Sequence, residues 1–180
     1  STGVTKNGLE RALLNINDLP GVSAVSSIEP GVEEGSSKIV LNVVEDDLVS
    51  GSITLDNHGN RYTAKQRNTI KIDFNNPSKI GDKLSITKTF NAGEKFDFTQ
   101  FDYEVPVGQS GFKAFASASR LEFEIGKELR TNPVSLGNAD TIEVGVKYPI
   151  QRTNNQSVFL KTSIEKKEIY NETTGVLTND

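Results

Sequence analysis

The 180-residue chain contains no cysteine, methionine or tryptophan, and its one histidine is His58. Without thiols there are no disulfides, thiolate metal sites or thiol nucleophiles. A single histidine in a turn cannot assemble a multi-histidine zinc centre. The acidic pairs Glu33-Glu34 and Asp46-Asp47 lack the spaced oxygens and central glycine of a calcium loop, and no phosphate-cradling glycine loop is present. Nothing in the sequence therefore argues for an enzyme, a metal or a cofactor. A net charge of −4 leaves no basic footprint for nucleic acid. Long apolar runs are missing too: none approaches the roughly 18 residues of a membrane-spanning helix. Spanning strands stay open, because a barrel strand hides its apolar face in alternation. The chain begins at Ser1 with neither methionine nor a signal-like segment, so it is expected to be a piece of something longer.

What is present is alternation. In residues 49–56, Val49, Gly51, Ile53 and Leu55 fall on one face and Ser50, Ser52, Thr54 and Asp56 on the other. Ile70, Ile72 and Phe74 repeat the pattern, with Thr69, Lys71 and Asp73 opposite. Period-2 alternation marks strands with one apolar and one polar face. The tight polar turn Asn57–Arg61 joins them as a hairpin. Further strands are expected over Lys83–Phe90, Asp97–Val105, Lys113–Phe123, Thr141–Pro149 and Ser157–Ile164. The phase of Lys113–Phe123 is ambiguous, since Ala114, Ala116 and Ala118 compete with Phe115, Leu121 and Phe123. About seven strands follow Leu48. Every second one ends at a proline (Pro77, Pro106, Pro149), followed by a compact polar turn, while the opposite connections vary up to the long Gly126–Asn138. Short turns at one end and longer loops at the other fit a transmembrane barrel, with Tyr62, Phe74, Phe90, Phe101, Tyr103 and Tyr148 as interfacial aromatics. A soluble sandwich can also be built from such strands, with the aromatics in its core.

Ahead of the meander lies a thin α+β module. A helix is expected over Asn7–Leu19, capped by Asn7 with Glu10 three residues on. Leu9, Ala12, Leu13 and Ile16 form its apolar face. Strands Ser23–Glu29 and Lys38–Glu45 follow. The second is almost continuously apolar, which predicts cover on both faces. The acidic Glu45-Asp46-Asp47 marks the boundary.

Taken in order, L-E-R-A-L-L-N-I-N-D-L-P-G-V, I-E-P-G-V-E-E-G-S-S-K-I-V-L-N-V and G-S-I-T-L-D-N-H-G-N-R-Y-T resemble the two-partner secretion transporters of the hemolysin secretion/activation family. The turns Asn75-Asn76-Pro77 to Gly81-Asp82-Lys83-Leu84 and Lys147-Tyr148-Pro149-Ile150 add to the resemblance. It covers nearly the whole chain. It implies a mainly β fold: an antiparallel up-and-down meander (residues 48–180) forming the first part of a transmembrane β-barrel. Residues 1–47 would be the C-terminal part of a POTRA domain. The family's barrel has sixteen strands, so seven would leave an open sheet edge.

The resemblance also implies a location and partners. The chain would sit in the bacterial outer membrane, against its lipid, with the N-terminal part periplasmic. There POTRA domains would catch an unfolded exoprotein of hemolysin or adhesin type, by strand addition at a sheet edge, for passage through the barrel. Leu14, Ala24, Ser26 and Ile28 would then stand on the groove side. Lys65, Arg67, Lys71, Asp73, Asp102, Glu104, Glu143 and Lys147 would line a hydrated lumen. Two other readings compete: a soluble β-rich binding or adhesin module, and an outer-membrane assembly factor of the same superfamily. The face carrying Ile53, Leu55, Ile70, Ile72, Val144, Val146 and Leu160 discriminates, because a sandwich buries it and a membrane barrel turns it outward.

Overall fold

A computed structural model describes residues 5–32, 35–93, 95–126, 129 and 135–173. Among these residues one helix, α1 (Lys6–Asn17), precedes nine strands. They are β1 (Val22–Pro30), β2 (Ser37–Glu45), β3 (Val49–Asp56), β4 (Arg67–Asn75), β5 (Lys83–Phe90), β6 (Phe96–Val107), β7 (Phe112–Glu124), β8 (Ser135–Arg152) and β9 (Ser157–Thr173). β1 and β2 form a two-stranded antiparallel sheet, and β3 to β9 form a seven-stranded one in strict sequence order. No described helix is long and apolar enough to cross a membrane.

The helix begins and ends earlier than its sequence predicts. Thr5, not Asn7, is the N-cap, and its hydroxyl accepts from the Gly8 amide at 3.2 Å. Glu10 is spent elsewhere: its carboxylate accepts the Asn154 amide at 2.6 Å. The Asp18 amide turns back to the Leu14 carbonyl and closes the helix before Leu19. β2 is not covered on both faces. Leu41, Val43 and Val44 are 45–58% exposed, because among the described residues α1 is the one element beside this small sheet. Glu33 and Glu34 lie outside the described residues.

Strand pairing fixes two faces in the large sheet. Directly paired residues share a face, so the register carries a row across all seven strands. One such row is Gly51, Ile72, Ile86, Phe101, Ala118, Ile142 and Lys166. The neighbouring row on that side is Val49, Phe74, Leu84, Tyr103, Ala116, Val144 and Ile164. This apolar face stays open to the surroundings: Ile53 is 75% exposed and Ile164 78%. The reverse side carries Ser50, Asp73, Ser85, Asp102, Ser117, Glu143 and Glu165 in one row.

The pairing also settles the phase of β7. Its alanines join the apolar face, and Phe115, Leu121 and Phe123 join the other. Phe115 pairs with Gly145 and Phe123 with Gly137, and each ring lies over its glycine, where no side chain stands.

Three connections differ from expectation. Residues 57–66 form a ten-residue link rather than a tight turn. It folds on itself through Gly59 N to Lys65 O and Ala64 N to Asn60 O, burying Ala64. β8 and β9 run to 18 and 17 residues, so the expected Gly126–Asn138 loop is shorter and part of it lies outside the described residues. Pro106 and Pro149 sit inside strand ends, not at their limits. Pro149 is accommodated by a bulge between it and Gln151, where a missing N–H costs no ladder bond.

Beyond the apolar band the polarity of the two faces exchanges. On the first face Lys88, Thr99, Arg120, Asp140 and Glu168 form the next row. Behind them Phe98, Leu121, Ala139 and Ile169 form an apolar row. The expected strands 141–149 and 157–164 stop short of this region, so the exchange is complete only with β8 and β9 at full length.

Candidate functional site

α1 is seated on the turn end of the large sheet. Asp18, just past the helix, receives two hydrogen bonds from the Arg152 guanidinium at 2.7 and 2.9 Å, a planar fork matched to a carboxylate. Lys113 Nζ donates to the Asp18 carbonyl at 2.9 Å and to Glu104 at 2.7 Å. Two turns carry glycines where the helix comes close. Gly81 and Gly111 both have φ +83°, and a Cβ there would meet Leu19 at 2.9 Å and Pro149 at 2.9 Å respectively. The Asp46–Leu48 link ties the two sheets: Asp46 N donates to Gly21 O, and Asn75 bonds the Leu48 and Asp47 carbonyls.

The turn between β4 and β5 is built around Asp82, which is fully buried. Its carboxylate accepts from the Ser78 amide at 3.1 Å and the Tyr103 hydroxyl at 2.8 Å, and its carbonyl accepts from Asn76 N. Asn76, at φ +57°, spends its side chain on the Gly81 amide, which offsets its left-handed backbone. Burial pushes the Asp82 carboxyl up, but the bonds from Tyr103 and Ser78 outweigh it and hold it below the ordinary 3.8.

At the free edge of β1, both the N–H and C=O of Ala24 bond the Asn17 side chain, at 2.6 and 2.9 Å. Alternation then directs the backbone groups of Ser26 and Ile28 toward the same edge, and Pro30 ends it without an N–H. Ala24 is buried, Leu14 and Ser26 are half-buried, and Ile28 is 70% exposed. Ala24, Ser26 and Ile28 share one face of β1, paired with Val43, Leu41 and Ile39. The Asn17 clamp has no signal in the sequence beyond an asparagine near a helix end.

The polar face of the large sheet is a continuous ionic wall. Asp73 is flanked by Lys71 at 3.3 Å and Lys83 at 3.5 Å and accepts from Ser85. Asp102 accepts from Gln100 and Ser117. Glu143 pairs with Lys161 at 2.8 Å, and Arg67 pairs with Asp56. Seven of the eight expected wall residues share this face: Arg67, Lys71, Asp73, Asp102, Glu104, Glu143 and Lys147. Lys65 does not, because it lies exposed in the 57–66 link.

An open antiparallel meander with an exposed apolar face and an ionic face behind it defines a class of sheet, and the comparisons name the family. The profile of the haemolysin secretion/activation proteins (ShlB/FhaC/HecB) matches residues 35–178. The chain belongs to this family of two-partner secretion proteins, which places it in the outer membrane. It is 24% identical over 173 residues to the heme/hemopexin transporter protein HuxB of Haemophilus influenzae strain 86-028NP, covering 96% of this chain and 30% of that protein. It is 30% identical over 91 residues to the outer membrane transporter CdiB of Escherichia coli strain 536, covering 51% of this chain and 15% of that one. The chain thus spans about a third or less of these relatives. In fold it is similar to CdiB from Escherichia coli, with TM-score 0.67 and 22% identity over 89% of this chain and 30% of that one. It is also similar to CdiB from Acinetobacter baumannii, with TM-score 0.59 and 17% identity over 95% of this chain and 37% of that one.

Proposed function

We propose that residues 48–180 are the first strands of a transmembrane β-barrel wall and that residues 1–47 are the end of a periplasmic POTRA domain. The protein of which they are part carries an unfolded exoprotein, of hemolysin or adhesin type, to the cell surface. The observation that carries this reading is the exposure of the apolar face: Leu55 is 73% exposed and Ile142 58%, while paired charges occupy the reverse side. A soluble sandwich would bury the first face and solvate the second; a barrel in lipid does the opposite. Phe74, Tyr103, Phe112 and Tyr148 stand together at the turn end of the apolar face, where an interfacial belt belongs. β6 and β7, at 12 and 13 residues, exceed the about 9–11 residues a tilted span needs. The full-length protein is expected to need detergent for extraction and to shift mobility in SDS gels on heating. Recovery of the intact protein in soluble form without detergent overturns the reading.

The exoprotein would add as a strand at the free edge of β1, where Ser26 and Ile28 offer backbone groups and Leu14 and Ala24 border the groove. Ile28→Pro removes one N–H from that edge. Losing a hydrogen bond of about 1–1.5 kcal/mol corresponds to about a tenfold loss of affinity. Exoprotein appearing outside the cell is expected to fall accordingly, and Ile28→Ala is expected to keep it. Equal secretion by both variants would rule out this edge.

A further inference from the structure

Lys113, Lys147 and Lys161 are direct cross-strand neighbours on β7, β8 and β9. Like charges placed opposite one another destabilise a sheet, so each needs an answering group. Lys113 has Glu104 and the Asp18 carbonyl. Lys161 has Glu143 at 2.8 Å, with its ammonium 4.5 Å above the Phe115 ring. Lys147 has the Phe159 ring at 4.6 Å and, among the described residues, no carboxylate within ion-pairing distance. Arg152, also 6.0 Å from the Phe159 ring centre, is consumed by Asp18. The middle of the row therefore carries an uncompensated positive charge.

Its position gives that charge a use. Lys147 lines a cavity of about 590 Å³ beneath α1, together with Asn15, Lys113 and Phe159. It also lines a second cavity of about 410 Å³ over the ionic wall, with Lys83, Asp102 and Lys161. It thus stands between the helix and the wall. In the lining of the first cavity the Asn15 side-chain oxygen is enclosed without a hydrogen-bond partner. A cation held against an aromatic face is partly stripped of water, and so binds an arriving anion at lower desolvation cost.

We infer that Lys147 is the centre of a carboxylate-binding site, and that its ligand is an acidic side chain of the polypeptide passing from the α1 end onto the polar face. The inference rests on the reading of that face as a pore wall. Lys113 and Lys161 reinforce the field, and their own carboxylates limit the site to one anionic group at a time. This gives the entrance a preference for acidic over basic segments.

The test uses the full-length protein in planar lipid bilayers, with an oligoglutamate peptide as the probe and an oligolysine peptide of equal length beside it. Oligoglutamate is expected to block the current of the wild type and of Lys147→Arg at about tenfold lower concentration than it blocks Lys147→Gln, the factor that corresponds to one ion pair of about 1.4 kcal/mol. Lys147→Gln removes no existing ion pair, and its heat-dependent gel shift reports that it has folded. Equal block of wild type and Lys147→Gln, or equal block by oligolysine, overturns the site while leaving the pore intact. A wild-type protein that conducts no ions overturns the pore reading and this site with it.

Discussion

Replacing Asp82 with alanine is expected to cost about 2–3 kcal/mol and to free the turn between β4 and β5. The carboxylate is fully buried and its two oxygens serve different elements: Ser78 in the turn itself and Tyr103 on β6. Removing it strands an amide and a hydroxyl, each of which loses its partner at a part-buried site. The same turn touches Leu19 through Gly81, so the seating of α1 is expected to loosen with it. The readout is the urea midpoint of the heat-modifiable folded form, compared with Asp82→Asn, which keeps the shape and a partner for each oxygen position.

The pH dependence has a definite sign. Because the folded-state value of Asp82 is held below 3.8, the ionised carboxylate stabilises the fold fully above about pH 4, its unfolded value. That contribution is lost as pH falls through the lowered folded value. The gap between wild type and Asp82→Asn should be flat from neutrality to about pH 4 and should narrow below it. A gap that widens on acidification would remove the carboxylate from this role.

The second large effect concerns the glycines beneath aromatic rings on the polar face. At Gly137, all three nearest neighbours of an added Cβ are ring atoms of Phe123, at 2.5–3.1 Å. At Gly145 the added atom meets the Phe115 ring at 2.6 Å, but also the Thr162 carbonyl at 2.5 Å and Ser163 at 2.7 Å. Either alanine substitution overpacks the strand pair, at about 1–3 kcal/mol. The rescues differ. Phe123→Ala removes the three nearest obstacles at Gly137, so the double variant Gly137→Ala/Phe123→Ala should recover most of what Gly137→Ala alone loses. Phe115→Ala leaves the Thr162 carbonyl in place, so Gly145→Ala stays destabilised in the double variant. Thermal unfolding followed by gel shift measures both cycles. Equal rescue at the two sites would mean that the backbone of β9 yields.

The aromatic–glycine pairs also show why β7 was ambiguous as a string. Between residues 113 and 123 apolar side chains occupy both parities, so periodicity offers two answers. The choice is made by β8, which presents Gly145 and Gly137 opposite Phe115 and Phe123. A bulky ring fits over a glycine and not over Val144 or Val146 on the other face, and that fit sets the register.

Much else was written locally. The alternation in β3 to β6 and in the middle of β8 states which side is apolar, because neighbouring side chains on a strand must point to opposite faces whatever lies beyond. The order of the strands follows from short connections between consecutive segments. The ionic character of one face was readable from Lys71, Asp73, Asp102, Glu104, Glu143 and Lys147, whose parity is a property of the chain alone. The helix was readable as a segment, but its cap was not, since Thr5 and Asn7 are both competent and Glu10 found a better partner 144 positions away in Asn154.

By itself, then, the sequence determined the elements, the two faces and the family to which they belong. Only the tertiary structure decided which charges of the polar face are paired. Asp18 meets Arg152 across 134 positions, the Asn17 amide clamps the edge of β1 at Ala24, and Lys147 stands between two lysines whose partners come from their own surroundings. Parity is a local consequence of backbone geometry and survives in the string. Pairing between groups far apart in the chain depends on where the folded sheet and helix bring them, and no local pattern encodes that distance.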